Sequence, residues 1–302
     1  MSARRRYQNL LLATDFSSGA EAALSRVGWL PLGDGGTVHI AHVLPPRLPR
    51  KLEQPLREQA EAQLVRSSAA LESALAQQAG PRPRTAPVIL SGEPFVELIR
   101  YARLHGVELV VLGRHGERGV RDHFVGSTAE RVVRKGDVPV LLVHGRASGP
   151  YARPLAAVDL SDGSRRVLEL ALALVPGELQ RLPLLHAYAA AFESTLSRTW
   201  SQELMTQYRR ECEQEAREQL GQLIASFGPL EVELEVLLRS GETRTVIEDE
   251  LLKRRSDLLA VGTHGRTGIS HALLGSVAEW LIRAAPCDVA VTRPAKFTFE
   301  LP

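Results

Sequence analysis

Short apolar runs alternate along this chain with longer stretches in which hydrophobic positions recur at helical spacing. In the first half the short runs are LLLAT (10–14), VHIAHVL (38–44), APVIL (86–90), LVVLG (109–113) and VPVLLV (138–143). Helical periodicity fills the intervals near 19–30, 52–79, 94–105 and 127–135. The second half repeats the series, with strands predicted near 155–158, 182–188, 231–238, 257–262 and 288–292. Apolar strands bounded by turn residues and separated by helices predict a parallel sheet with both faces covered and right-handed crossovers. The expected class is α/β, as two doubly wound five-stranded parallel-sheet domains.

The halves are copies of one another. ATDFSSGAEAAL (Ala13–Leu24) matches AVDLSDGSRRVL (Ala157–Leu168) at a separation of 144 residues, and IAHVL (Ile40–Leu44) matches LLHAY (Leu184–Tyr188) at the same separation. From SGEP (Ser91–Pro94) and SGET (Ser240–Thr243) onward the separation is 149. Five residues therefore entered the second copy between Tyr188 and Ser240, in its long helix or the adjoining loops. The boundary falls in the linker-rich GRASGPYARP (Gly145–Pro154), giving domains over 1–147 and 148–302.

Composition adds exclusions. A length of 302 residues suits two domains, and 44% hydrophobic with 24% charged residues is ordinary for a globular protein. A net charge of +2 argues against a dedicated nucleic-acid binder, and Arg4, Arg5 and Arg6 read as a solvated terminus. Two cysteines, Cys212 and Cys287, give no disulfide framework. With no apolar run near the roughly 20 residues of a membrane span, the expected location is cytoplasmic.

One motif is written twice. VLGRHGERGVRDHFVGSTAE (Val111–Glu130) returns as AVGTHGRTGISHALLGSVAE (Ala260–Glu279), each spaced Gly-x2-Gly-x9-Gly-Ser. Gly113, Gly116, Gly126 and Ser127 answer to Gly262, Gly265, Gly275 and Ser276. The first glycine closes a strand at the sheet edge where open α/β folds bind ligands. The second permits close backbone approach, and the last precedes a helix start whose free N–H groups and dipole suit an anion. No lysine precedes Ser127 or Ser276, which excludes a Walker loop, and GxGxxG is missing after the first strand. In its place stand Asp15 and Asp159, each in Asp-x-Ser. Such a carboxylate accepts from a ribose hydroxyl or an adenine amino group, or it caps the next helix; the residues alone leave both readings open.

At ATDFS, AVDLS, IAHVL and the two glycine ladders the sequence resembles the universal stress protein family, twice over and across nearly the whole chain. The resemblance implies a Rossmann-like strand order of 3-2-1-4-5, with the aspartate and the glycine loop facing one crevice. It implies ATP or AMP as ligand, with Mg²⁺ as an optional companion of ATP. Thr14 and Asp15 in copy one, and Val158 and Asp159 in copy two, fall at the adenosine end, with Val43 and Ala187 at the base. Gly113, Arg114, Gly116, Gly126, Ser127 and Thr128 hold ribose and phosphates in copy one; Gly262, Thr263, Gly265, Arg266, Gly275 and Ser276 do so in copy two. Family dimers pair through the fifth strand, so here the halves are expected to form an intrachain pseudo-dimer through Val138–Val143 and Asp288–Thr292. Further homodimerisation stays open.

Departures rank the two copies. Arg266 follows the second glycine of copy two, where copy one has Glu117, so copy two is expected to hold phosphate more strongly. Arg114, Arg118 and Arg121 are the cations that can offset Glu117. Copy two has Val158 in place of Thr14. His42, His115, His186 and His264 recur by duplication without metal-ligand spacing and read as structural or backbone-orienting. Cys287 with His271 lacks a third catalytic partner. The helices near 53–78 and 201–226 read as surface helices packed by one face, and HVLPPRLPRK (His42–Lys51) as a lid over the base or a plain loop. The leading function is a nucleotide-binding stress or regulatory protein with no catalytic residues and no metal site. The alternatives are a slow ATPase or another nucleotide-using enzyme, and a nucleotide-free partner-binding scaffold.

Overall fold

The computed structural model describes residues 6–77, 83–114, 127–188, 201–263 and 274–293. In the first half, β1 (Tyr7–Ala13), β2 (Leu32–Leu44), β3 (Arg84–Ser91), β4 (Leu109–Gly113) and β5 (Val140–Val143) alternate with α1 (Ser18–Val27), α2 (Arg50–Ala76), α3 (Pro94–Leu104) and α4 (Ser127–Lys135). In the second, β6 (Pro154–Ala157), β7 (Arg181–Tyr188), β8 (Glu233–Ser240), β9 (Leu258–Gly262) and β10 (Asp288–Thr292) alternate with α5 (Ser164–Leu174), α6 (Gln202–Ala225), α7 (Thr243–Arg254) and α8 (Ser276–Ala284). Every strand read from the apolar pattern is present. The largest boundary change is at β2, which starts at Leu32 opposite Tyr7 before an irregularity resets the pairing at Asn9 and Thr37. The five extra residues of copy two fall ahead of α6. With α2 and α6 aligned from their C-terminal ends, Gln202 answers to Glu53, and 189–201 precede it where only 45–52 precede Glu53, whereas 77–83 and 226–232 after the two helices are equal in length.

The ten strands form one sheet, in the order β3-β2-β1-β4-β5-β10-β9-β6-β7-β8. Two five-stranded sheets paired through their fifth strands were expected. The strands do pair there, but they join the two sets into a single sheet, and the reading of two sheets is corrected. The order within each half is 3-2-1-4-5, but β5 and β10 join antiparallel, with Val140, Leu141 and Leu142 opposite Val291, Ala290 and Val289. The reason is visible in the strands themselves. All four residues of β5 and all five of β10 are buried. Left as edges, they would present unpaired backbone flanked by apolar side chains, a ready template for aggregation. Pairing removes both edges at once.

Each apolar face of this sheet is continuous through the junction. Leu141 and Ala290 belong to the core under α1, α2, α5 and α6; Leu142 and Val289 belong to the core under α3, α4, α7 and α8. The outer edges are β3 and β8. Pro87 within β3, and Glu233, Glu235 and Arg239 within β8, make poor templates for a further strand. No helix among the described residues is long and apolar enough to cross a membrane.

A buried polar cluster secures the junction. Arg26 of α1 donates through Nε to Asp288 Oδ2 at 2.9 Å and through Nη1 to the Gly149 carbonyl at 2.9 Å. Tyr151 donates to the same Asp288 oxygen at 2.7 Å, and the His144 amide donates to Oδ1 at 2.8 Å. The Arg26 guanidinium also lies 4.0 Å from the Tyr151 ring centre. Three partners compensate a carboxylate that is only 4% exposed. Burial nevertheless raises the Asp288 carboxyl above its ordinary value, against the opposing pull of Arg26 and the hydrogen bonds. The protonated form is thus relatively favoured in the fold, and this group's contribution to stability falls as pH rises through its raised value.

Arg26→Met leaves that carboxylate without its cation. Chemical denaturation at neutral pH should show a loss of about 3–5 kcal/mol, the usual effect of breaking a buried pair. The loss should shrink as pH falls through the raised range in which the buried carboxyl takes a proton. A deficit independent of pH would show that Arg26 acts by packing alone.

Candidate functional site

The carboxyl end of β1 carries the first component. Asp15 Oδ1 accepts from the Ser17 amide at 3.1 Å and the Ser17 hydroxyl at 2.5 Å, and Ser17 Oγ in turn caps α1 by accepting from the Ala20 amide. After β6, Asp159 Oδ1 accepts from the Ser161 amide at 3.1 Å, its hydroxyl at 2.7 Å and the Ser164 hydroxyl at 3.0 Å. In both copies, then, one carboxylate oxygen organises the turn into the next helix. The second oxygen of Asp159 is buried with no hydrogen-bond partner. Both turns hold a bulky residue in the left-handed region, Phe16 at φ 63° and Leu160 at φ 61°. Such conformations cost on the order of 1–3 kcal/mol and concentrate at functional sites. Thr14 supports the first by accepting from the Phe16 amide at 3.0 Å; Val158 has no hydroxyl to do so.

The histidines of β2 and β7 orient backbone, as the sequence reading held. His42 Nδ1 donates to the Thr14 carbonyl at 2.9 Å, and His186 Nδ1 to the Val158 carbonyl at 2.8 Å. These bonds tie the first and second strands of each half at the point where the crevice opens. His115, His264 and His271 lie outside the described residues.

The glycine ladder divides into packing and site residues. A Cβ on Gly113 would stand 2.4 Å from the Gly19 carbonyl carbon, so this glycine is demanded by the fit of β4 against α1. Arg114 requires a correction. Its side chain is 1% exposed and reaches across the junction, where Nη1 donates to the Ala285 carbonyl and to His144 Nδ1. Arg293 does the converse, donating to the Val133 and Arg134 carbonyls near the end of α4. Each half therefore sends an arginine to the negative end of the other half's last helix. In copy two the position of Arg114 is held by Thr263, buried, with its amide on the Thr292 carbonyl at 2.9 Å. Gly116, Gly126, Gly265, Arg266, Glu117, Arg118 and Arg121 lie outside the described residues.

At the start of α4, Ser127 is exposed and Thr128 half-buried; at the end of β2, Val43 is half-buried. In half two, Gly275 is the N-cap of α8, at φ −61° and with no side-chain cap on the helix. The first amides of α8 are thus free to meet a ligand.

Half two encloses a cavity of about 590 Å³ that brings together Val158, Asp159, Ala187, Gly262, Thr263, Gly275 and Ser276. It spans the crevice where β6 and β9 adjoin, from the α8 N-terminus on one side to α6 on the other. The sequence reading missed the α6 wall. Tyr208, Cys212, Glu215 and Gln219, with Tyr188 at the end of β7, all line the cavity. Their spacing along α6 marks one helix face, which was read as ordinary packing. Cys287, the other thiol, is buried, and desolvation pushes its pKa up to about 12, which makes it a poor nucleophile. Among the described residues no group of three or more His, Cys, Asp or Glu side chains could hold a metal ion.

Comparison with known proteins agrees with this architecture. The model of the universal stress protein family matches residues 6–144 and again 150–293. Universal stress protein MJ0577 of Methanocaldococcus jannaschii is 26% identical over 165 residues, covering 47% of this chain and 98% of its own. Universal stress protein Rv2005c of Mycobacterium tuberculosis is 28% identical over 197 residues, covering 62% of each chain. The crystal structure of a universal stress protein from Archaeoglobus fulgidus shares the fold at a TM-score of 0.66 and 19% identity, over 96% of this chain and 100% of its own.

Arg114→Met should lower stability by about 1–3 kcal/mol, because it leaves the buried Ala285 carbonyl without its donor. Denaturant unfolding measures the loss, and a nucleotide titration of the same protein should be unchanged. Weakened nucleotide binding at unaltered stability would return Arg114 to the ligand site.

Proposed function

The chain belongs to the universal stress protein family, and from that premise we propose an adenine-nucleotide-binding stress-response or regulatory protein without substantial catalysis. Each half is one family domain in this reading, 1–147 and 148–302, and the protein acts in the cytoplasm. The observation that carries it is the half-two cavity, bounded by the uncapped start of α8 and by Asp159 with its partnerless oxygen. Its volume falls within the 300–1,000 Å³ typical of small-molecule sites. Phosphate oxygens of ATP or AMP accept from the first amides of α8, stabilised by the helix dipole. Asp159 Oδ2 accepts from a ribose hydroxyl or the adenine amino group. Mg²⁺ accompanies ATP on its phosphates. Half one holds the weaker site, as the exchange of Arg266 for Glu117 implies.

The cavity favours holding a nucleotide over cleaving it. No lysine or arginine occurs among the described residues that line it, and His186 there is engaged with the Val158 carbonyl. Charge neutralisation and water activation at a γ-phosphate need such groups.

Gly275→Val tests the site without backbone strain, because the observed φ of −61° suits any residue. Calorimetry should show the tighter ATP-binding phase weakened by about 10–100-fold, the equivalent of one charge-assisted hydrogen bond. Unchanged affinity would remove the α8 N-terminus from the site.

Purified protein should hydrolyse ATP far more slowly than an ordinary enzyme rate of ~1 s⁻¹. Steady turnover at that rate, abolished in Asp159→Ala, would favour the enzymatic alternative.

A further inference from the structure

The wall that α6 gives the half-two cavity differs in chemistry from the matching stretch of α2 in half one. Because the connections after α2 and α6 are equal in length, the two helices align from their C-terminal ends at a separation of 149 residues. Tyr208, Cys212 and Glu215 then answer to Gln59, Gln63 and Arg66. At the end of the second strand, Ala187 and Tyr188 answer to Val43 and Leu44, at the earlier separation of 144. Leu44 is buried at 3% exposure, whereas Tyr188 is half-buried and lines the cavity. Two aromatic rings therefore border the half-two crevice where half one offers an aliphatic side chain and an amide. The exchange of Val43 for Ala187 also removes two methyl groups from the same place. Tyr188 is held against α6 by donating to Glu213 Oε2 at 3.3 Å. Tyr208 and Cys212 lie one helical turn apart and share the face that lines the cavity.

We propose that half two recognises an aromatic base by stacking it on Tyr208, with Tyr188 closing the same end of the cavity. Half one, lacking both rings, binds without selecting the base. This rests on the nucleotide-binding reading and adds to it the residues that discriminate a nucleotide from a bare phosphate. The physics is that of any aromatic platform. A base presents its π-face and an apolar edge, and stacking on an aromatic side chain contributes about 1–3 kcal/mol per base. A polyphosphate has no such face and gains nothing from the wall.

Two probes, ATP and inorganic tripolyphosphate, separate stacking from phosphate binding. In calorimetry, Tyr208→Ala should weaken the half-two ATP phase by about 5–150-fold, the 1–3 kcal/mol of one stacked base converted at 1.4 kcal/mol per decade. Tripolyphosphate affinity should stay unchanged, and Tyr208→Phe should restore ATP binding. Cys212 supplies a second readout, because Cys287 is buried with its thiol pushed up to about 12 and labels poorly in the native protein. A base seated on Tyr208 shields the thiol one turn away. ATP should therefore slow the reaction of Cys212 with an aromatic disulfide reagent about tenfold or more, and tripolyphosphate should leave it unchanged. Equal weakening of both ligands by Tyr208→Ala would show a structural role and overturn the proposal. So would ATP that binds while Cys212 labels at its free rate; the nucleotide reading would then survive alone. Failure of the unaltered protein to bind ATP at all would overturn both.

Discussion

The antiparallel union of β5 with β10 is the constraint on which the rest of the structure depends. Two fully buried strands, each the inner edge of its own five, meet through backbone hydrogen bonds and close each other off from water. The union makes one sheet and carries both hydrophobic layers through the centre of the chain. Because the partners run antiparallel, the carboxyl ends of the strands in one half point opposite to those in the other. The two candidate crevices therefore open at opposite edges of the sheet, and neither borrows its strands from the other half.

Such a centre gives duplicated residues new tasks. Arg114 and Arg293 occupy different positions in their own halves, yet each binds carbonyls at the end of the other half's final helix. Asp288 has no acidic counterpart, since Pro139 holds the matching place in copy one. One carboxylate consequently gathers Arg26, Tyr151 and the His144 amide from the side of the junction built by the first half and the linker. In a symmetric pair of separate chains that arrangement would occur twice. In a tandem chain each copy is free to change by itself, and it has.

The same freedom reaches the ligand crevices. The turns after β1 and β6 remain alike down to the left-handed residue and the serine bound to the aspartate. The walls above them do not. Copy two received five extra residues ahead of α6 and placed two tyrosines, a thiol and a carboxylate around its cavity. The conserved chemistry lies in the turns, and the difference between the halves lies in the helix that covers them.

Much of this was legible in the residues alone. Runs such as LVVLG and VPVLLV have only one way to hide their side chains and satisfy their backbone, so strand positions and the doubly wound class follow from local pattern. The repeat placed Asp15 with Asp159 and His42 with His186, and the structure gives both histidines the same backbone bond and both aspartates the serine two residues on. What only the tertiary structure decided concerns contacts between residues distant in the chain. Arg114 stands beside a glycine loop in sequence, but the Ala285 carbonyl, 171 positions away, claims its side chain. Gly113 is glycine because Gly19 crowds it. The face of α6 that lines a cavity has the same periodicity as one that packs on a core, since an apolar or aromatic position records burial without recording what buries it. The pairing of the fifth strands was expected from the family resemblance, but that it would fuse the two sets into one continuous sheet was settled by how the two edges met.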